Sequence, residues 1–391
     1  MIKVLKIKYQ VLAVRLSGNL INFVIIITTQ CFFPRIGGIE SLMTGMADSF
    51  TKSGEKVIVL ADGKKTDNDN DFNFELVRFN QWKPIRKILK ARYISKLVTK
   101  NKIKAIYADS WKSIEHINKI FCQKLKIIVL AHGTEIPKKN NIRYLKNNRV
   151  KKSYQKAEII LANSQYTKDL MIASIDIDHK KIFIVHPGID VYYDKVSNLD
   201  KINADNIIKN SFPTLITLAR VEKRKGHEYV IKAIANIKKK FPQILYLIAG
   251  EGPYLKNIKK LVKELKLENH IKFLGWVTEP VKSVLLEKSD IFIMTPSIVN
   301  ESVEGFGMAF LDASFHEVAL IGSRSGGVED AIKENYTGLL CDPENIDDIT
   351  SKISLLANDD EMRKKLGMQG HKLVAESYIW EKKSFEYLSF I

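Results

Sequence analysis

The residues from Glu304 to Asp312 combine two carboxylates with a glycine-rich turn that leads into a predicted helix. Glu304 precedes a glycine-hinged turn that ends at Gly307, and residues 308–315 have the pattern of a helix. Amide groups at the start of a helix bind anions, because their N–H bonds have no partner within the helix. Carboxylates eight residues apart, at 304 and 312, suit pairs of sugar hydroxyls. A core helix with two incidental acids is the alternative.

Basic side chains follow another predicted strand, in the segment 220–227. Arg220 and Lys225 stand five residues apart there, and their guanidinium and ammonium groups could converge on one diphosphate. Cations of this kind stabilise negative charge on a leaving phosphate when no metal ion does so. A solvated basic turn is the alternative interpretation of this segment.

Two further predicted strand ends present polar or glycine-rich residues. Gly37 and Gly38 follow the first strand, where adjacent glycines let backbone amides approach an anion. They lack the G-x-G-x-x-G spacing of a dinucleotide-binding loop. His132 follows the fourth strand, where an imidazole can exchange a hydrogen bond with a sugar hydroxyl near neutral pH. A structural histidine is equally compatible with the sequence at this position.

The elements that position these residues are short β-branched runs that alternate with helical patterns. The strands are predicted at 23–27, 57–60, 105–107, 127–130, 159–161, 214–217, 245–248, 271–274, 291–294 and 319–321. Their apolar residues are continuous rather than alternating, which is typical of parallel strands covered by helices on both faces. In such sheets, ligands bind at the carboxyl ends of the strands. The pattern predicts an α/β protein with two Rossmann-like domains.

The chain length of 391 residues fits two domains. We expect the boundary in the polar segment 188–213, with an N-terminal domain over 1–195 and a C-terminal domain over 205–374. The tail, with Trp380 and Phe385, is too apolar to remain in solvent. A C-terminal helix of about residues 375–391 is therefore predicted to complete the N-terminal domain.

The positive charge is concentrated in the N-terminal half. Residues 1–200 contain 35 basic and 18 acidic side chains, or +17, whereas the whole chain has +18. The densest stretch, from Lys83 to Lys104, is predicted to form a basic amphipathic helix. Such a helix can lie on an anionic membrane surface, which would place the protein in the cytoplasm as a peripheral protein on the inner face of the cytoplasmic membrane. A solvated helix face is the alternative.

Several other classes of function are disfavoured by the sequence. Cys31, Cys122 and Cys341 are far apart and form no metal or redox motif, which fits a reducing cytoplasm. No nucleic-acid-binding motif accompanies the basic charge, so no nucleic-acid partner is expected. Residues 9–29 could be read as a membrane anchor, but polar residues interrupt them, and a buried strand at 22–29 is preferred. The role of residues 1–20 is left open.

The motifs, in their order along the chain, resemble family 4 of the GT-B glycosyltransferases over about residues 22–380. They are Gly37-Gly38, His132-Gly133, Asn163 to Thr167, His186 to Asp190, Arg220 with Lys225-Gly226, Ala249 to Pro253, Phe273 to Gly275, Glu304 to Gly307 and Ser325 to Glu329. The context is most similar to bacterial mannosyl- and glucosyltransferases that build phosphatidylinositol mannosides and surface polysaccharides.

The resemblance implies a GT-B fold, with two Rossmann-like domains facing each other across a cleft. It implies retaining transfer of a mannose- or glucose-type hexose from a UDP- or GDP-sugar to a glycan or lipid-linked acceptor, with no metal and no other cofactor. The catalytic residues it implies are Arg220 and Lys225 on the diphosphate, Glu304 on the donor sugar's hydroxyls and His132 beside its hydroxymethyl group. The donor-binding residues it implies are Gly37, Gly38, Phe306, Gly307, Met308, Asp312, Leu274 and Gly275.

One position departs from the family pattern. The glutamate that usually takes the ribose hydroxyls is Asp312 here, which is one methylene shorter. This difference predicts either that the helix lies closer to the ribose or that the contact is weaker or water-bridged. Two other functions remain open on the sequence alone. They are a nucleotide-sugar 2-epimerase on the same fold and a non-catalytic protein that binds a membrane surface.

Overall fold

The computed structural model describes residues 23–118, 125–137, 144–190 and 197–391. The N-terminal sheet consists of Phe23–Thr29 (β1), Lys56–Asp62 (β2), Glu75–Phe79 (β3), Lys102–Ala108 (β4), Ile127–Ala131 (β5), Ile159–Ala162 (β6) and Ile182–Ile184 (β7). These seven strands are ordered β3-β2-β1-β4-β5-β6-β7. The predicted N-terminal extension, residues 1–20, and Cys122 lie outside the described residues.

The C-terminal sheet has six strands. They are Thr214–Leu218 (β8), Leu245–Ala249 (β9), Ile271–Gly275 (β10), Ile291–Ile293 (β11), Ala319–Ser323 (β12) and Gly338–Cys341 (β13). Their order is β10-β9-β8-β11-β12-β13, and all ladders in both sheets are parallel. The predicted α/β class with two Rossmann-like domains is confirmed.

Helices cover both faces of each sheet. Around the N-terminal sheet they are Gly38–Lys52 (α1), Lys83–Lys100 (α2), Trp111–Ile114 (α3), Tyr144–Tyr154 (α4) and Gln165–Ser174 (α5). The later helices are Asn198–Ile208 (α6), His227–Ile237 (α7), Leu255–Glu264 (α8), Glu279–Glu287 (α9), Met308–Phe315 (α10), Val328–Ala331 (α11), Ile346–Asn358 (α12), Asp360–Ser377 (α13) and Trp380–Leu388 (α14). Short 3₁₀ turns occur at Asp67–Asn70, His179–Lys181 and Lys223–Lys225.

The continuous apolar runs are buried on both sides of the sheets. In β1, Val24 and Ile26 belong to the apolar cluster on one face, and Ile25 and Ile27 belong to the cluster on the other. All four side chains are fully buried. A strand with helices on both faces has no solvent side, and this explains why its sequence does not alternate.

The strand order reverses direction once in each sheet, between β1 and β4 and between β8 and β11. The carboxyl ends of the strands at such a point diverge and leave a crevice where ligands bind. The segments predicted to bind phosphate and sugar follow β1, β5, β8 and β11. The topology therefore brings these segments to the carboxyl edges of the two sheets.

Two segments differ from the sequence-based expectation. Helix α6 occupies the segment expected to be a linker between 195 and 205, because Ser197 and Asp200 form a reciprocal capping box that starts a helix. Ala204 of this helix is buried in the C-terminal core. The basic helix predicted from Lys83 to Lys104 ends at Lys100, since the following residues form β4.

The last helix returns to the N-terminal domain. The chain crosses between the domains at Ile189 and again at Ile379, and these crossings lie side by side. The Ile189 N–H donates to the Tyr378 carbonyl at 2.9 Å. Beyond the crossing, α14 packs against α1, and the Tyr107 hydroxyl donates to the Tyr387 carbonyl at 2.5 Å. The C-terminal helix is thereby part of the N-terminal core.

We expect Trp380→Ala to destabilise the protein, because Trp380 is only 4% exposed in the core that joins α14 to α1. Removing a buried indole costs about 3–5 kcal/mol of unfolding free energy. Urea unfolding followed by circular dichroism measures this loss. The control is Phe385→Ala on the same helix, whose side chain is 68% exposed. Equal losses in the two variants would contradict the packing described here.

Candidate active site

A cavity of about 910 Å³ lies between the carboxyl edges of the two sheets and is lined by both domains. The predicted site residues in its wall are Gly37, Gly38, His132, Arg220, Lys225, Glu304, Phe306, Gly307, Met308 and Asp312. Segments far apart in the sequence therefore meet at one crevice. Its position is the one at which doubly wound sheets bind ligands.

Leu274 and Gly275 are the two predicted donor-binding residues that do not line this cavity. Strand β10 ends at Gly275, whose carbonyl accepts the Gly250 N–H at 2.7 Å, and Leu274 packs against the apolar core. The chain turns beyond this point, so that Trp276 and Val277 form the cavity wall instead. The exposed indole of Trp276 offers a flat apolar surface to a ligand.

The Glu304 loop approaches the N-terminal domain closely. Gly305 lies against the His132 carbonyl, and an added Cβ there would be 2.1 Å from that oxygen. Gly307 has a φ of 95° and forms the N-cap of α10, a conformation that favours glycine. The first residues of α10, Met308 and Ala309, line the cavity. The unpaired amides at the start of this helix are thus available at the cleft.

The Glu304 carboxylate accepts hydrogen bonds from two cations. Its Oε2 lies 2.5 Å from Lys225 Nζ and 2.9 Å from Arg224 Nη1. Burial alone would raise the pKa of Glu304, but the charges of Lys225 and Arg224 lower this pKa below its ordinary value. The side chain is therefore ionised at neutral pH and is suited to accept hydrogen bonds from sugar hydroxyls.

Arg220 is also paired with a carboxylate. Its side chain is 70% exposed, and Nη1 lies 3.3 Å from Glu222 Oε1. The other oxygen of Glu222 accepts a hydrogen bond from Arg224 Nε at 3.0 Å. The two cations predicted to bind diphosphate thus have acidic partners in this structure, Glu222 for Arg220 and Glu304 for Lys225.

One ring nitrogen of His132 forms a hydrogen bond with the backbone. Its Nε2 lies 2.9 Å from the Asp109 carbonyl oxygen, and the His132 N–H donates to Glu135 Oε1 at 2.7 Å. A carbonyl oxygen only accepts, so Nε2 bears the proton, which leaves Nδ1 of the neutral form of the ring as an acceptor. This arrangement fits a hydrogen bond donated by a sugar hydroxyl.

Asp312 is paired with a lysine that also lines the cavity. Lys282 Nζ is 3.2 Å from Asp312 Oδ2 and 2.5 Å from Glu279 Oε2. Burial would lower the pKa of Lys282, but Asp312 and Glu279 raise it above its ordinary value. A cation therefore stands beside the shorter carboxylate, at the point where the resemblance predicts the ribose.

The cavity wall also contains charged residues to which the sequence-based prediction gave no role, among them Arg224, Lys282 and Asp190. Arg224 lies in a visibly basic run, but the sequence does not show which of its side chains turns inward. No motif in the sequence around Lys282 indicates that this residue lies in the site. Asp190 ends the segment that begins at His186, and burial, with the charge of Asp48, raises its pKa to about 6.

The described residues contain neither a cluster of metal ligands nor a helix that could span a membrane. Among the described residues, no group of three or more His, Cys, Asp or Glu side chains could hold a metal ion. Within the same four ranges, every helix is too short or too polar to cross a membrane. Cys31 and Cys341 are free thiols.

Two family descriptions match this chain, one for each domain. Residues 36–192 match "Glycosyltransferase Family 4", and residues 199–373 match "Glycosyl transferases group 1". The chain belongs to the family 4 glycosyltransferases. The gap between the two matches, residues 193–198, ends at Asn198, the first residue of α6.

Curated relatives of this family 4 glycosyltransferase include two mannosyltransferases. The GDP-mannose-dependent alpha-(1-6)-phosphatidylinositol monomannoside mannosyltransferase of Mycobacterium tuberculosis is 29% identical over 43% of this chain and 44% of its own length. The matched segment thus spans less than half of that relative. The GDP-mannose-dependent monoacylated alpha-(1-6)-phosphatidylinositol monomannoside mannosyltransferase of Corynebacterium glutamicum is 23% identical over 91% of this chain and 94% of its own length.

Solved structures show the same fold as this glycosyltransferase. Anabaena Alr3699/HepE in complex with UDP has a TM-score of 0.77 at 18% identity, over 94% of this chain and 100% of that chain. A glycosyltransferase from Rickettsia africae has a TM-score of 0.78 at 18% identity, over 94% of this chain and 97% of that chain. The predicted GT-B fold is confirmed.

Proposed function

We propose that this glycosyltransferase moves a mannose- or glucose-type hexose from a UDP- or GDP-sugar to a glycan or lipid-linked acceptor in the synthesis of a cell-surface polysaccharide or glycolipid. The main observation in favour is the set of cations and helix amides that line one wall of the cleft, opposite Gly37 and Gly38. The names of two relatives, which specify GDP-mannose, and the UDP bound to HepE support a nucleotide-sugar donor.

The proposed role of the cations follows from the charge of the leaving group. Cleavage of the bond between the sugar and the diphosphate leaves additional negative charge on the phosphate. Arg220, Lys225 and the first amides of α10 neutralise this charge in our proposal. Because these groups do the work that a metal ion performs in other enzymes, we propose a reaction that needs no metal.

The proposed transfer retains the configuration of the sugar. The acceptor hydroxyl attacks the anomeric carbon from the face that the diphosphate leaves, and a leaving phosphate oxygen takes the hydroxyl proton. One bond from the anomeric carbon to phosphate oxygen breaks, and one to the acceptor oxygen forms. Glu304 accepts hydrogen bonds from the sugar hydroxyls in this scheme, and His132 Nδ1 accepts one from the hydroxymethyl group.

Transfer from a panel of nucleotide sugars, measured with and without EDTA, tests this function. We expect one UDP- or GDP-hexose to be used, and EDTA to have no effect. Glu304→Gln should lower the transfer rate by about 100-fold or more, because the neutral amide cannot replace the charged acceptor. The control variant is Glu376→Gln, at an exposed position on α13.

The thermal unfolding midpoint of each variant shows whether a loss of transfer activity comes from the site or from unfolding of the protein. Loss of transfer in EDTA would contradict the metal-free reaction, and full activity of a folded Glu304→Gln enzyme would contradict the proposed site. Release of a free sugar of changed configuration in the absence of acceptor would indicate an epimerase instead.

We further propose that the protein acts on the inner face of the cytoplasmic membrane, which it contacts through α2. Three basic side chains of this helix do not face outward as the sequence suggested. Lys90 is buried against Asp62 at 3.0 Å, Arg86 pairs with Asp62 at 2.8 Å, and Lys87 pairs with Glu115 at 2.8 Å. These cations are neutralised within the domain and contribute little to lipid binding.

The outward face of α2 combines apolar and basic residues. We use the name α2 patch for six exposed residues, which are Trp82, immediately before the helix, and Ile85, Ile88, Lys83, Arg92 and Lys96 within it. Lys90 of the same helix also contacts the Thr29 carbonyl at the end of β1, so α2 lies near the carboxyl edge that borders the cleft. Aromatic and aliphatic side chains with basic neighbours are typical of surfaces that bind anionic lipids.

Flotation with phosphatidylcholine vesicles, with or without phosphatidylglycerol, tests the membrane contact. We expect Trp82→Ser/Ile85→Ser to weaken binding to the anionic vesicles by about tenfold or more, since each side chain gains about 1.5–3 kcal/mol on burial. The matched control is Leu355→Ser/Met368→Ser, two exposed apolar residues of the C-terminal domain. Equal binding by both double variants would contradict the proposal. Equal binding of the wild-type protein to vesicles with and without phosphatidylglycerol would contradict it as well.

A further inference from the structure

One carboxylate oxygen of Glu304 accepts hydrogen bonds from both Arg224 and Lys225, which are adjacent residues of the 3₁₀ turn Lys223–Lys225. The proposed function assigns Lys225 to the diphosphate. The phosphate oxygens then compete with Glu304 for the same ammonium group and weaken that ion pair. A carboxylate that is only 14% exposed is destabilised when it has no cation beside it, or it takes up a proton. Arg224 is the cation that stays beside Glu304 when Lys225 turns to the phosphate.

We propose that Arg224 is the positioning residue for Glu304: it holds the carboxylate toward the donor sugar while Lys225 engages the diphosphate, and Glu222 aims Arg224. This inference rests on the proposed function and deepens it. Arg224 acts through Glu304, so it is assigned no contact with the reacting atoms.

The geometry around Arg224 fits a fixed support better than a mobile ligand. Its Nε contacts Glu222 Oε2 at 3.0 Å and its Nη1 contacts Glu304 Oε2 at 2.9 Å. The Arg224 carbonyl accepts the Ser297 N–H at 2.8 Å, which ties the turn to the segment after β11. A planar guanidinium held at two points by carboxylates loses little further freedom when it acts.

Lys225 and Arg220 are held by fewer ion pairs than Arg224 is. Lys225 has one acidic partner, Glu304, on a flexible stem. Arg220 is mostly exposed and pairs only with Glu222 among the salt bridges of the described residues. Both can turn to a phosphate by breaking one ion pair, whereas Arg224 would have to break two. The turn thus provides two mobile cations and one fixed cation.

Within the part of the chain that the structure describes, the charged groups paired with Glu304 are Arg224 and Lys225, and Glu222 pairs with Arg224 from behind. Gly307 lies beside the aliphatic part of the Glu304 side chain, and Gly326 lies beside the Glu304 backbone carbonyl. Arg224 is one of the two charges that lower the pKa of Glu304. Removing Arg224 raises this pKa, so activity that requires the ionised carboxylate is lost at a higher pH on the acid side.

Four variants test the proposal: Arg224→Met, Arg224→Lys, Lys225→Met and, as matched control, Lys223→Met. Lys223 is an exposed residue of the same turn. Calorimetry gives the Kd for UDP or GDP, and transfer assays give kcat and KM across pH. Lys223→Met should behave as wild type. Lys225→Met should weaken nucleotide binding by about 10- to 100-fold.

Arg224→Met should lower kcat by about 10- to 100-fold, weaken nucleotide binding less than Lys225→Met does, and move the acid limb of the pH profile to higher pH. Arg224→Lys should restore part of kcat and bring the acid limb back toward wild type, because it keeps the charge but loses the two-point contact. This rescue also shows that the turn folds.

Two results would overturn the inference while leaving the proposed function intact. One is an Arg224→Met enzyme with wild-type kcat and pH profile. The other is an Arg224→Met enzyme whose nucleotide affinity falls as far as that of Lys225→Met with an unmoved acid limb, which would make Arg224 a phosphate ligand. A wild-type protein that binds neither UDP nor GDP would overturn the proposed function itself, and this inference with it.

Discussion

The neutralisation of charge inside a partly closed cleft is the constraint on which the rest of this structure depends. The Glu304 side chain is only 14% exposed, and a carboxylate removed this far from water is stable only with cations or hydrogen-bond donors beside it. Arg224 and Lys225 meet that need. A diphosphate presents the same requirement more strongly, because it has more charge and more acceptor oxygens. In our account, donor binding exchanges one anion for another at Lys225 and leaves the positive wall of the cleft in place.

The fold meets this constraint through topology. Each sheet reverses its strand order once, and the two reversals face the same cavity. This much follows from the sequence, because continuous apolar runs such as 23–29 require parallel strands covered on both faces. The residues at which helices and strands begin and end were harder to predict. A capping box at Ser197 begins α6 within an apparently polar linker, and pairing with β1 makes residues 102–108 a strand although their charge continues that of α2.

The site was predictable in its residue types and less so in its contacts. The loop at Glu304 and the basic run that includes Lys225 are visible in the sequence, but their ion pair joins residues 79 positions apart. Such pairs depend on how two loops turn after their strands, which no local pattern specifies. The same limit applies to Lys282, whose pairing with Asp312 joins two helices. It also explains why Trp276, beyond the end of β10, lines the cavity wall in place of the two preceding residues.

A structure of the protein with UDP or GDP bound is the most direct test of the central claim. The account predicts Lys225 Nζ within about 2.9 Å of a phosphate oxygen and Arg224 still paired with Glu304, as expected of charge-assisted hydrogen bonds. A nucleotide whose phosphates lie outside the cleft, or a Lys225 that contacts Glu304 alone while the phosphates contact other residues, would contradict it.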